Sequence, residues 1–197
     1  MNGTFCCVVD LSDRLKSNSK RVIEKLNEMN IQPVMVTGDI PSTAEAVASL
    51  CGIETLFSQQ TPIDKANIVI EYQNQGKIVG MIGDGINDSP ALARSDVGFS
   101  VFNGTDIAHD AASIILMNDN LFDLIVAIDL SRFIVARIKW NFAWALAYNF
   151  ISLPIAAGCL VPFGIVMHPA LAGVAMSLSS ISVLLSSLAI KLYKPPK

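Results

Sequence analysis

The sequence predicts an α/β domain with a parallel sheet, followed by an apolar helical hairpin long enough to cross a membrane. Short β-rich runs alternate with helix-length segments up to about residue 117, several of the runs end beside a carboxylate, and most of the last third of the chain is uncharged. The chain has 197 residues, 52% of them hydrophobic, with a formal net charge of -3. How charge is distributed says more than its total. All 17 acidic residues lie at or before Asp129, and beyond Lys139 the only charges are Lys191, Lys194 and Lys197. Residues 1 to about 130 can bury a compact core, whereas the remainder is apolar over bilayer-matched lengths. No nucleic-acid partner is expected. The opening Met-Asn-Gly-Thr-Phe-Cys-Cys lacks a basic region followed by an apolar core, so no signal peptide is expected. Cys6, Cys7, Cys51 and Cys159 show no metal-ligand spacing and read as reduced core residues, consistent with a cytosolic soluble part.

Taken in order, Thr4 to Val9 is a β-rich run ending at Asp10, and Asp13-Arg14-Leu15-Lys16 precedes a helix with Val22, Leu26 and Met29 on one face. Pro33 to Val36 is the next strand, ending in Thr37-Gly38-Asp39. Ser42-Thr43-Ala44-Glu45 is a capping box for a helix to Cys51, with Gly52 placed to end it. Leu56-Phe57 is a short strand. Thr61-Pro62 reads as an N-cap with Pro at the first helical position, which puts Lys65 in the first turns, against the helix dipole, where either an anionic ligand or plain solvation would account for it. Lys77 to Ile82 is a strand and Ser89 to Ala93 opens a helix. Val97 to Val101 and Ser113 to Leu116 are strands, with Asn103-Gly104-Thr105-Asp106 a turn between them. Leu121 to Lys139 is a helix approaching a membrane surface.

The chain is organised around Gly83-Asp84-Gly85-Ile86-Asn87-Asp88-Ser89-Pro90, a strand-to-helix loop. In a parallel α/β sheet such loops lie at the carboxyl ends of strands, where ligands bind. Asp84, Asp88 and Asn87 suit a hard cation such as Mg2+, which takes oxygen ligands and completes its shell with phosphate. An ordinary tight turn uses the same residue types, so both readings stand at this point.

Asn141 to Leu160 and Pro169 to Ile190 carry no formal charge, and each is long enough to span. Pro162 and Gly164 offer a hairpin turn between them. Basic residues flank the outer ends and none occupies the loop, so both ends face the cytosol. Two buried helices of a large soluble core are the alternative. Polar groups inside a span are costly unless paired or used in transport. The serines of the second run could serve packing, and Met176 and Ser180, four apart, share a face. Packing does not explain Tyr148-Asn149 together with the Met176 thioether, a soft ligand that favours Cu(I).

With these motifs in order, the chain resembles the carboxyl-terminal part of copper(I)-transporting P-type ATPases, with an ending most similar to the eukaryotic pumps. Asp13-Arg14-Leu15-Lys16, Thr37-Gly38-Asp39, Asp64-Lys65, Gly83 to Pro90, Gly104-Thr105-Asp106, Tyr148-Asn149 and Met176 with Ser179-Ser180 carry the resemblance. It implies an incomplete haloacid-dehalogenase-like (Rossmann-like) phosphorylation domain over residues 1–117. A linking helix over 118–140, two transmembrane helices over 141–190 and a cytosolic tail over 191–197 would follow. The resemblance gives Thr37, Gly38, Asp39, Lys65 and Asn87 catalytic roles. Thr37 would hydrogen-bond a phosphoryl oxygen and Lys65 would neutralise its charge. Asp84 would hold Mg2+, with Asp88 assigned to the same metal site and supporting the loop. Tyr148, Asn149, Met176 and Ser180 would line the copper path. The parent would use ATP and Mg2+ to move Cu+, with membrane lipid and a cytosolic copper chaperone as partners. It would be a multi-pass membrane protein, of Golgi or post-Golgi membranes if eukaryotic.

The chain departs from the family pattern at Ile40 and at His109-Asp110, and it contains no Asp-Lys-Thr-Gly-Thr or Cys-Pro-Cys stretch. The expectation is a piece of a pump, inactive alone. Without the strand that leads to the phosphorylated aspartate, the strands at Pro33 to Val36 and Lys77 to Ile82 are expected to leave a gap. A zinc or cadmium pump would resemble this architecture but with charged residues in the last helices. A membrane-anchored dehalogenase-like phosphatase would need Asp-x-Asp, and Asp10-Leu11-Ser12-Asp13 has the wrong spacing. A truncated product that only binds a partner is a third alternative.

Overall fold

The computed structural model describes residues 15–101, 105–118, 120–159, 161–164 and 169–196, without the side chains of 163, 169–172, 175 and 176. The expected first strand at Thr4 to Val9, with Cys6, Cys7 and Asp10 to Arg14, lies outside the described residues, as do Asn103 and Gly104.

Strands β1 (Val34–Val36) and β2 (Thr55–Phe57) pair in parallel with Met35 opposite Leu56. Strands β3 (Gly80–Gly83), β4 (Val97–Val101) and β5 (Ile114–Leu116) form a second parallel sheet in that order, with Ile82 opposite Phe99. Parallel neighbours require crossovers. These are α2 (Pro41–Cys51) in the first sheet, and α4 (Ser89–Arg94) and α5 (Asp106–Ala111) in the second. Helix α1 (Ser19–Glu28) precedes β1, burying Val22 and Leu26 one turn apart, and α3 (Pro62–Asn74) leads from one sheet to the other.

Helix α4 sits at the centre of this part, packed on α3, α5, β3 and β4, with Ala91 and Leu92 enclosed. Burying a side chain such as Leu92 contributes about 1.5–3 kcal/mol. β4 is flanked on both sides and its central residues Gly98, Phe99 and Ser100 are buried, whereas no residue of β1 or β3 is fully buried despite their apolar composition. Among the described residues β1 and β3 are not hydrogen-bonded to one another.

The chain divides into two compact units, Met1–Ile125 and Val126–Lys197. In the second, α6 (Phe122–Ala156, 35 residues) runs on from the first unit and α7 (Pro169–Leu188) returns antiparallel to it. Asn141 Nδ2 donates to Ser187 Oγ at 3.1 Å, Ser186 Oγ donates to Asn141 Oδ1 at 2.7 Å, and Trp144 Nε1 donates to Ser182 Oγ at 3.0 Å. These bonds give Ser182, Ser186 and Ser187 the packing role that the sequence left open. Among the described residues no helix is long and apolar enough to cross a membrane. The uncharged part of α6 begins at Asn141 and the helix ends at Ala156, with Pro154 inside it and Gly158 at a left-handed φ of 85° beyond it.

Some expectations are corrected. Ser42 and Glu45 form no capping box: Pro41, whose fixed φ suits a first helical position, starts α2 early, leaving Ile40 as an N-cap without a side-chain bond. Gly52 does end that helix, at φ 77°. Thr105 and Asp106 are not a turn but the start of α5, because the Thr105 hydroxyl accepts the Ala108 N–H at 3.3 Å. Cys51 is a buried free thiol, and burial raises its pKa. Cys159 is not in a core; it lies exposed, just after the left-handed Gly158.

Candidate functional site

The loops after β1 and β3 carry the predicted residues at the carboxyl ends of parallel strands. In the first, Thr37 Oγ1 donates to Asp39 Oδ2 at 2.8 Å and accepts the Asp39 N–H at 3.1 Å. This small ring fixes both side chains. Backbone bonds tie the loop to the segment after β2: Gln60 N–H to Thr37 O and Gln59 N–H to Asp39 O, both at 2.9 Å. Gly38 and Asp39 are exposed and Thr37 is half-buried. Since a threonine hydroxyl has one proton, Thr37 can donate to a ligand only by releasing Asp39.

In the second loop, Lys65 Nζ donates to Asp88 Oδ1 at 2.8 Å, with each side chain only 14% exposed. Lys65 is delivered by α3, whose start is fixed by a capping box. Thr61 accepts the Asp64 N–H at 3.3 Å, and Asp64 accepts the Thr61 N–H at 3.1 Å and hydroxyl at 2.6 Å. The bonds from Thr61, side chain first, hold the Asp64 pKa below its ordinary value. Sequence reasoning missed this box, although Thr-x-x-Asp was its signal. It also missed why Gly83 must be glycine: a Cβ there would lie 2.5 Å from Asp88 Cβ and 2.9 Å from its Cγ and Oδ2. Asp96 anchors the entry to β3 by accepting the Val79 N–H at 2.8 Å, which lowers its pKa.

Asp84 is exposed, and its backbone carbonyl accepts the Thr105 N–H at 3.0 Å. Its carboxylate is directed to no hydrogen-bond or ion-pair partner among the described residues, and Asn87 is exposed in a 3-10 turn over Ile86–Asp88. The two aspartates thus differ in their partners: Asp88 is bonded to Lys65, whereas the Asp84 carboxylate has none among the described residues. No cluster of three His, Cys, Asp or Glu side chains suited to a metal occurs among the described residues. One carboxylate facing solvent fits Mg2+ that draws its other ligands from water and phosphate.

In the second unit, Tyr148 is half-buried, while Asn149 and Ser180 are exposed. Met176 lies on α7, its side chain outside the described residues. Tyr148 lies one turn past Trp144, and Ser180 half a turn from Ser182, so the antiparallel register set by the Trp144–Ser182 bond brings them to about the same level along the helices.

The haloacid dehalogenase-like hydrolase family matches residues 1–96. Copper-transporting ATPase HMA4 of Oryza sativa subsp. japonica is 49% identical over 197 residues, covering 100% of this chain and 20% of that protein. Copper-transporting ATPase 2 of Homo sapiens is 42% identical over 196 residues, covering 100% of this chain and 13% of that protein. By sequence, the whole chain is homologous to one segment of copper-transporting ATPases. It spans about a fifth or less of the length of these relatives. A crystal structure of a zinc-transporting PIB-type ATPase in the E2.Pi state matches with a TM-score of 0.80 at 30% identity, covering 90% of this chain and 28% of that one. The α/β part is thus haloacid-dehalogenase-like.

Proposed function

We propose that the chain is the phosphorylation-domain portion and the last two membrane helices of an ATP-driven copper(I) pump. The observation that carries this reading is 42–49% identity to copper-transporting ATPases over essentially the whole chain. The match to the zinc pump is at 30%, and the absence of carboxylates from residues 141–190 also favours copper, a soft ion.

In this reading the soluble part stabilises phosphoryl transfer by placing charge, not by covalent chemistry. The Lys65 ammonium has three donors, one of them on Asp88, which leaves two for an anion bound beside it. Thr37 contributes its hydroxyl proton once released from the Asp39 carboxylate, while the Asp39 N–H still holds the Thr37 oxygen, and Gly38 allows a close backbone approach. Asp84 holds Mg2+, which would neutralise phosphate oxygens, and Asn87 and Asp88 keep the loop in shape. ATP would reach this site through parts of the parent that this chain does not contain. Residues 141–160 and 169–190 cross the membrane as a hairpin. Arg132, Arg137 and Lys139 then sit at the same end of the pair as Lys191 and Lys194, because Asn141 is bonded to Ser186 and Ser187 there. That clustering is what the positive-inside rule places on the cytosolic side. Tyr148, Asn149, Met176 and Ser180 line the copper path; a cytosolic chaperone supplies the ion, and a Golgi or post-Golgi membrane suits a eukaryotic parent.

The test is a chimera in which this chain replaces the matching segment of the rice pump, assayed for metal-dependent ATP turnover. Copper-stimulated turnover is expected. A chimera stimulated by zinc and not by copper would give the chain to the zinc pumps.

A further inference from the structure

We propose that a groove between α6 and the segment after α7 binds the phosphorylated headgroup of an anionic membrane lipid. This rests on the spanning reading of the two helices. The groove has a volume of about 500 Å3 and is lined by Asp129, Phe133, Arg137, Leu192, Tyr193 and Lys194, among others. That is within the range of sites that hold small molecules. It opens beside a smaller hollow of about 210 Å3 formed by Phe133, Ala136, Arg137 and Trp140.

The groove combines cations with exposed apolar surface. Asp129, its one carboxylate, accepts the Tyr193 hydroxyl at 2.6 Å, and the Tyr193 ring lies 5.4 Å from Phe133. The Arg137 guanidinium lies 5.5 Å from the centre of the Phe133 ring and forms no ion pair among the described residues. Lys194 adds a second cation. A guanidinium stacked on a ring keeps its N–H edge available, and that edge matches a phosphate oxygen pair. Leu192 is 79% exposed and Trp140 65% exposed. Acyl chains would cover such surface, whereas a soluble phosphate would leave it in water. The position also fits. The groove lies at the charged ends of both helices, where basic pockets meet the headgroups of the cytosolic leaflet.

The full chain would be reconstituted in nanodiscs of phosphatidylcholine alone and of phosphatidylcholine containing phosphatidylinositol 4-phosphate. A Trp144→Phe background leaves Trp140 as the only tryptophan, since the chain has two. A saturable change in Trp140 fluorescence is expected with the phosphoinositide only. Arg137→Gln should weaken it roughly tenfold, as loss of a charged hydrogen bond does. Arg137→Lys should restore part of it, and Lys191→Gln, outside the groove, should leave it unchanged. Equal weakening by Lys191→Gln would mean diffuse surface charge and overturn the site. So would equal binding of water-soluble inositol phosphate, which would remove the lipid from the argument. Alkaline extraction in parallel separates the two failures. A chain that inserts but shows no phosphoinositide effect overturns the groove alone; a chain that does not insert overturns the spanning reading and the groove with it.

Discussion

Gly83→Ala should loosen the loop after β3 with all its charged residues kept in the sequence. The added Cβ would lie 2.5 Å from Asp88 Cβ and 2.9 Å from Asp88 Cγ, well inside van der Waals contact. The near atom is the root of the side chain and not its flexible end, so Asp88 must move as a whole. Its bond to Lys65 is 2.8 Å long and the two side chains are 14% exposed, which leaves little slack for that movement. Overpacking of this kind costs about 1–3 kcal/mol. Complete loss of a partner from a buried pair costs about 3–5 kcal/mol, an upper bound here because both charges remain and can rehydrate. Hydrogen exchange in β3 and the first turns of α3 should therefore quicken roughly 5- to 150-fold if opening is local. Lys65 should become reactive to acylating reagents at the same time. Unchanged protection, with Lys65 still unreactive, would refute the claim that Gly83 is required by Asp88.

In a full-length parent pump, Asp84→Asn should abolish phosphorylation from ATP at ordinary Mg2+, because an amide cannot supply the charge that holds the cation; normal labelling would make Asp84 a turn residue only. Met176→Leu keeps volume and apolarity while removing a thioether, so copper-dependent turnover should fall with little loss of folding; unchanged turnover in both this variant and Tyr148→Phe would remove these helices from the copper path. Thr61→Ala should destabilise α3 by about 1 kcal/mol. The folded pKa of Asp64 is depressed, so the stability it contributes is present above its unfolded value and lost as pH falls through the folded one; thermal unfolding of wild type should steepen in that acid range, and that of Asp64→Asn should not. Finally, Val34 to Val36 and Met81 to Ile82 should exchange faster than Phe99 and Ser100, since among the described strands β4 alone is flanked on both sides; equally slow exchange in all three strands would show a complete sheet.

The sequence made the strands after Ile31 legible because each is a short apolar run between turn residues, and Val97–Val101 falls where the pattern puts it. It was less reliable at helix starts. Ser42 and Glu45 have the spacing of a capping box, but Pro41 starts the helix first; Thr61 and Asp64 have a less familiar version of that spacing, and form one. Spacing states what a cap could do, while the backbone decides whether its N–H groups are within reach. The candidate loops were readable as glycine, hydroxyl and carboxylate clusters. The Lys65–Asp88 bond was not, since the two residues are 23 apart in sequence and meet only through α3 and α4 packing. Nor was the Tyr193–Asp129 bond, which joins residues 64 apart.

The two sheets of the first unit also raise the question of what joins them. No strand hydrogen bond does so among the described residues. What joins them is α3, which leaves the first sheet after β2 and packs on α4, the helix that follows β3 in the second. The Lys65–Asp88 bond lies along this same connection, reaching from α3 to the loop between β3 and α4. An exposed ion pair contributes at most about 1 kcal/mol, but one largely withdrawn from water cannot lose a partner so cheaply. The pair therefore does two jobs through one contact: it holds the ammonium at the strand ends, and it restrains the helix that bridges the two sheets. For that reason Gly83, which makes room for Asp88, belongs to the architecture of the site as much as the charged residues themselves.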